Sequence, residues 1–303
     1  MKKTQQNQNE EIMLRAAVIS HIGCVRGNNE DNFYFNGDYM EMKEVNDGTM
    51  FRAIATRNHH LMCICDGMGG LEGGERASRL VVTGIHALDK PMSIQDVSIE
   101  IDSFARQVSE QIQQDALKSG GDQTKEGTTL ALVYMTGGTM HVANVGDSRV
   151  YVLRNGKLIQ VSMDHTRIYQ MMLAGQLTKE QVRNHPESNR IDHYVGMPKD
   201  RISNDFVFHK NCSICNSDRL FLCTDGVSDL MSDEKLEEFL SNNAAPLDAA
   251  RQIIEYALEM GGKDNSTVIV ADVTGAQLPM TNPSAIAALG LLHESTSTIN
   301  TTQ

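Results

Sequence analysis

Four aspartates stand at the mouths of apolar, strand-like runs, and this placement constrains the fold more than any other feature. Leu61-Met62-Cys63-Ile64-Cys65 ends in Asp66-Gly67, and Leu220-Phe221-Leu222-Cys223-Thr224 ends in Asp225-Gly226. His141-Val142-Ala143-Asn144-Val145 ends in Gly146-Asp147, and Asp264 stands just before Thr267-Val268-Ile269-Val270-Ala271. Aspartates at the ends of buried strands converge at one end of a sheet. Carboxylates packed together raise one another's pKa unless a cation lies between them. Hard oxygen ligands without a His/Cys set favour Mg²⁺ or Mn²⁺ over Zn²⁺. A lone Asp-Gly is ordinarily a turn, because Gly tolerates positive φ and Asp caps its own backbone. Here the pair recurs, and each copy leads into a helix-like stretch rather than a hairpin. The chain reads as a multi-metal enzyme.

Size and charge narrow the class. With 303 residues and 40% hydrophobic content, the chain can bury a sizeable core. A formal net charge of −12 argues against a nucleic-acid partner. It would also repel an anionic substrate, unless bound divalent cations invert the sign locally. No apolar run reaches the ~20 residues that span a bilayer, and Met1–Glu11 is polar with no secretory core. These features predict a cytoplasmic protein with no membrane association. Of the six cysteines, Cys63, Cys65, Cys212 and Cys223 fall in or beside apolar runs, as small hydrophobes do. Cys212-Ser213-Ile214-Cys215 has metal-ligand or redox spacing, but no second pair accompanies it, so structural thiols are expected.

Patterning predicts a disordered leader at 1–11, a catalytic domain at 12–273 and a flexible Ser/Thr-rich tail at 274–303. Strands are expected near 15–20, 32–36, 50–55 and 61–65, then helices over 75–88 and 94–117 with apolar residues at helical spacing. A meander from 128 to 160 turns at Gly137-Gly138, Gly146-Asp147-Ser148 and Asn155-Gly156. A polar helical excursion over 167–184 breaks at Gly175, strands return at 205–209 and 219–223, and 247–260 is an amphipathic helix. Ile286–Leu292 could form one docking helix in the tail. Strands grouped with strands and helices with helices indicate α+β with antiparallel sheets. The glycines near 67–74 lack the dinucleotide-fingerprint spacing, which excludes a Rossmann reading.

Seven motifs occur in a telling order: Arg26-Gly27-Asn28-Asn29-Glu30-Asp31-Asn32, Asp66-Gly67-Met68-Gly69-Gly70, Gly127-Thr128-Thr129, Val145-Gly146-Asp147-Ser148-Arg149, Asp164-His165-Thr166, Cys223-Thr224-Asp225-Gly226 and Asp264-Asn265-Ser266-Thr267. From about Arg15 to Val273 the chain resembles metal-dependent protein phosphatases of the 2C type, in their bacterial branch. The resemblance implies a four-layer α-β-β-α sandwich, two central antiparallel sheets flanked by helix pairs, with the metals at one end. It implies Asp66 bridging two ions, the Gly67 carbonyl on one, and Asp225 and Asp264 completing the site. Asp147 would hold a third, weaker ion shared with Asp225, while Glu30 and Asp31 steady coordinated waters. Arg26 would grip the substrate phosphate. Arg26, Asp66 and Asp225 thus carry catalysis, with two core Mn²⁺ or Mg²⁺ ions.

The implied activity is that of a protein-serine/threonine phosphatase, in which a water bridging two divalent cations attacks phosphorus. The implied partners are phosphorylated proteins and a Ser/Thr kinase that the enzyme opposes, acting as a monomer in cytoplasmic signalling. The alternative is a non-catalytic regulatory pseudophosphatase that binds a partner through its flap and tail. Three departures stand out. Met68 replaces a His proposed as general acid in eukaryotic relatives, and a thioether cannot donate a proton. Asp192-His193 stands where relatives usually carry Thr-Arg, which marks the flap at about 167–195, with His193 a candidate proton donor. Residues 37–59 are longer than usual and read as an inserted hairpin.

Overall fold

The computed structural model describes residues 11–40, 49–69, 73–120, 125–183 and 185–279, together with Leu289. Strand β1 (Ile12–His21) leads to β2 (Asn32–Phe35) and β3 (Asp38–Tyr39). β4 (Thr49–Arg57), β5 (His59–Cys65) and the short β6 (Gly67–Met68) precede α1 (Gly73–Gly84), a 3₁₀ turn at Ile85–Leu88 and α2 (Ile94–Ser119). The short β7 (Gly127–Thr128) opens the meander β8 (Leu130–Thr136), β9 (Thr139–Val145), β10 (Arg149–Arg154) and β11 (Lys157–Gln160). The flap carries α3 (Arg167–Leu173) and α4 (Lys179–Arg183). β12 (Phe208–Ser213), β13 (Cys215–Asn216) and β14 (Arg219–Cys223) follow, then α5 (Asp225–Ser228), α6 (Asp233–Asn242) and α7 (Pro246–Glu259). β15 (Ser266–Thr274) and β16 (Leu278–Pro279) come last.

The strands form two six-stranded antiparallel sheets, ordered β11-β10-β14-β15-β1-β4 and β12-β9-β8-β5-β2-β3. Strand alternation sorts the apolar side chains into three layers. In β5, Met62 and Ile64 point between the sheets, where they meet Leu14, Val18, Val133, Leu222 and Ile269. Leu61, Cys63 and Cys65 point the other way, onto Ala77, Val81, Val97 and Ile101 of α1 and α2. The first sheet does the same with Ala17, Phe221 and Val268, which pack on Phe239, Ile253 and Ala257 of α6 and α7. This is the α-β-β-α sandwich that the motifs imply. Local signals agree with it. Ser93 Oγ accepts the Asp96 N–H at the start of α2, and Gly120 ends that helix at φ +73°. Asn155 and Gly156, both at positive φ, turn β10 into β11.

Two details differ from the sequence reading. Among the described residues of 37–59 no strands pair as a hairpin: β3 pairs with β2 in one sheet, whereas β4 pairs with β1 at the edge of the other. Alternation is the reason, since Phe51 and Ala53 reach the core between the sheets while Met50 and Ile54 remain exposed. The segment 41–48 lies outside the described residues. In the tail, Leu278–Pro279 pairs parallel with β13, and Leu289 is buried in the core between the sheets. The rest of the docking-helix segment at 286–292 lies outside the described residues, as does the leader apart from Glu11. All six thiols are free, with Cys24 exposed and the other five buried. Among the described residues no helix is long and apolar enough to cross a membrane.

Candidate metal centre

The sandwich brings the predicted aspartates to one end, where the hydrogen bonds of their own and neighbouring residues fix them. Asp66 leaves β5 with its N–H on Thr129 Oγ1 (2.9 Å), and its carbonyl accepts from Thr129 N and Thr128 Oγ1, both at 2.8 Å. Gly67 then passes through a gap that no other residue fits: a Cβ there would sit 2.2 Å from the Gly74 carbonyl oxygen. Asp225 opens α5, behind Thr224, whose Oγ1 donates to Asp31 Oδ2 (2.9 Å) and accepts from Thr267 N (3.0 Å). Asp264 lies at the entry to β15. Its neighbour Asn265 accepts from Glu30 N (2.8 Å) and donates to the carbonyls of Ile22 and Asn28, both at 2.9 Å. One side chain thus pins the loop that carries Arg26, Glu30 and Asp31.

The electrostatics are those of crowded carboxylates. Burial pushes Asp66 well above the usual range, and the charges of Asp225 and Asp31 add to it. Burial likewise raises Asp147, with Asp225 and Asp164 reinforcing it. Asp225 is pushed up to about 6, Glu30 to about 7 and Asp31 to about 8, burial leading in each case. Asp66 and Asp225 come within hydrogen-bonding reach, so a shared proton relieves them when no cation does. Arg26 Nη2 donates to Asp264 Oδ2 at 2.7 Å, although its side chain is 52% exposed.

Among the described residues, no three acidic, His or Cys side chains stand as a closed metal-ligand set. Arg26 offsets the charge of Asp264, and burial with mutual repulsion favours protonation among the remaining carboxylates. The donor set nevertheless fits hard divalent cations. Asp225 Oδ1 is buried with no hydrogen-bond partner, an unmet cost in a group that burial already disfavours as an anion. All the surrounding side-chain donors are carboxylate oxygens, as Mn²⁺ and Mg²⁺ require.

A cavity of about 410 Å³ runs from Asp147 and Asp225 to the flap, where Tyr169, Met172 and Arg183 line it. Its wall includes Asp229, which the sequence reading passed over. The charge of Asp229 raises both Asp147 and Asp225. The signal was the four-residue interval from Asp225, which places both on one side of a helical turn. Thr129 and Asn265 were also missed as the residues that hold the site in shape. His193 is not among the residues lining the cavity; it packs on His165 and Phe206. Met68 packs against the apolar layer beneath α1 and α2.

Residues 45–259 match the family described as Protein phosphatase 2C. The chain belongs to that family. It is 31% identical over 272 residues to the serine/threonine protein phosphatase PstP of Mycobacterium tuberculosis, a match that covers 90% of this chain and 47% of PstP. It therefore spans about half the length of that relative. It is 29% identical over 262 residues to the serine/threonine phosphatase stp of Listeria monocytogenes, covering 86% of this chain and 96% of stp. The PstP catalytic domain solved in complex with two manganese ions superposes with a TM-score of 0.68 at 30% identity, covering 87% of this chain and 99% of that one. The fold is shared.

Proposed function

We propose that this chain hydrolyses phosphoserine and phosphothreonine in proteins, with Mn²⁺ or Mg²⁺ held by Asp66, the Gly67 carbonyl, Asp225 and Asp264. Asp147, with Asp225, holds a weaker third ion. The observation that carries this reading is the buried, unpartnered Asp225 Oδ1 amid carboxylates that burial and mutual charge disfavour as anions. The names of the relatives support protein substrates, and the manganese complex of PstP supports the metal.

When bound, the ions supply a water acidified towards neutral pH and positive charge for the transferring phosphoryl group. The chain's own residues do the rest. Glu30 and Asp31, fastened by Asn265 and Thr224, orient water at the edge of the site. Arg26 donates one nitrogen to Asp264 and its side chain is half exposed beside the aspartates, where a planar fork grips two phosphate oxygens. Orienting phosphate and neutralising its charge is most of what catalysis of this reaction needs. The Met68 thioether donates no proton to the leaving oxygen, which takes one from solvent. The enzyme acts as a cytoplasmic monomer that opposes a Ser/Thr kinase.

The deciding experiment is phosphate release from a phosphothreonine peptide with Mn²⁺ and then EDTA, beside Asp225→Asn. Metal-dependent release that the variant lacks supports both the activity and the site. No release from folded protein that binds Mn²⁺ by calorimetry moves the reading to a non-catalytic regulator.

A further inference from the structure

Two imidazoles at the base of the flap, one buried and one half-buried, each carry a buried ring nitrogen without a partner. His165 is 6% exposed and is tied to the Asp147 turn twice. Its N–H donates to the Gly146 carbonyl (2.9 Å), and its Nδ1 accepts from Gly146 N–H (3.1 Å). An Nδ1 that accepts places the ring's proton on Nε2. That Nε2–H is buried and has no partner. On the other side, the His165 carbonyl accepts from Asp192 N (2.7 Å), and Thr166 bridges to Ile191. This backbone pairing lays the His193 ring against His165, with centroids 4.8 Å apart at 44°. His193 Nδ1 is also buried and unpartnered. One atom must donate and the other can accept, and their rings lie side by side.

The attachments beyond each ring are rigid. Gly146 adopts φ +99°, and a Cβ there would lie 2.7 Å from Thr129 Cγ2, so the turn has no slack towards the core. Thr129 Oγ1 also holds Asp66 N–H and pairs with Ser148 Oγ at 2.7 Å, on the far side of Asp147. His193 lies tilted against Phe206 (centroids 6.1 Å apart at 50°), and the following Val195 and Gly196 are fastened to Thr128 and to Ser109 Oγ of α2. We propose that His165 Nε2–H donates to His193 Nδ1 as a latch clamping the Gly146-Asp147 turn to the flap base, making both histidines positioning residues for Asp147. The part concerning the ion rests on the reading of Asp147 given above. Seating the flap closes the latch, and closing it narrows the positions open to the Asp147 carboxylate.

The test uses the full chain and three variants. His193→Phe keeps the ring stack but removes the acceptor; His193→Asn returns an acceptor oxygen near the place of Nδ1. Nitrogen-15 NMR of the histidine rings reads the latch directly. The expected result is a slowly exchanging His165 Nε2–H in the native chain and in His193→Asn, lost in His193→Phe. Titration with Mn²⁺, followed by electron paramagnetic resonance, reads the ion. The weakest site should bind about three- to tenfold less tightly in His193→Phe, the loss of one buried hydrogen bond, and recover in His193→Asn. The tight sites should not change. A His165 ring protonated on Nδ1, or Phe and Asn variants that behave alike, overturns the latch. If Asp147→Asn leaves weak Mn²⁺ binding unchanged, the ion assignment itself falls. The His165 resonance then decides the latch alone, which stands if the proton is seen and falls if it is not.

Discussion

Glycine and arginine positions carry the sharpest expectations at the scale of single residues. A methyl group on Gly67 would lie 2.2 Å from the Gly74 oxygen and 2.6 Å from the Glu30 oxygen, so backbone must move on both sides of the site. Gly67→Ala should cost ~1–3 kcal/mol in urea unfolding and abolish measurable Mn²⁺ binding by calorimetry. Gly27→Ala is the control, because a Cβ there meets nothing within 4 Å; it should stay within about 0.5 kcal/mol. A Gly67→Ala protein that binds Mn²⁺ normally would remove that carbonyl from the site. Arg26→Ala should raise KM for a phosphopeptide roughly tenfold or more with kcat less affected, and Arg26→Lys should recover only part, since an ammonium lacks the fork. An unchanged KM in Arg26→Ala would detach Arg26 from the phosphate. The aspartates were legible in the sequence because each ends or precedes an apolar run. The holding roles of Thr129 and Asn265 were not, because short polar side chains in loops look alike until the partner they hold is known.

At the scale of elements, the sequence was most readable where one periodicity dominates. The 26 residues of α2 and the apolar run of β5 lie almost as the pattern places them. Edges were harder. β4 looked like one arm of a hairpin, yet its partner is β1, and only the register that sets Ala53 opposite Ala16 reveals it. Flap helices α3 and α4 are short and leave few buried side chains, so periodicity says little about where they pack. The tail is rich in Ser, Thr and Asn, yet Leu289, within the apolar run 286–292, is fully buried in the core between the sheets, and Lys210 Nζ donates to its carbonyl at 2.9 Å. Leu289→Ala should therefore lower unfolding stability by about 2–4 kcal/mol, as for other buried leucines. A change below about 0.5 kcal/mol would show that the tail does not seal the sandwich.

For the molecule as a whole, pH acts through two opposed sets of buried groups. His60 joins the sheets, its Nε2–H donating to the Ile12 carbonyl at 2.7 Å while Nδ1 meets the Asn36 amide at 3.0 Å. Burial pushes it down to about 4, and burial does the same to His141. A histidine lowered on folding binds more protons when unfolded, so its contribution is complete above about pH 6.5 and is lost as pH falls towards 4. His60→Gln should flatten that acid limb by on the order of 1–3 kcal/mol. The carboxylates oppose this. Asp31 at about 8, Glu30 at about 7 and Asp225 at about 6 are all raised on folding, so the stability they contribute is complete below about pH 4 and is lost as pH rises to those values. Above about pH 6.5 the histidines have nothing more to add, and metal-free protein should therefore weaken up to about pH 8, the more so with a net charge of −12. Mn²⁺ binds the deprotonated carboxylates and only the folded chain presents them together, so its stabilisation should grow over the same interval. Melting temperatures with EDTA and with saturating Mn²⁺ should diverge as pH rises. Parallel curves, offset by a constant, would mean that Mn²⁺ binds away from these aspartates.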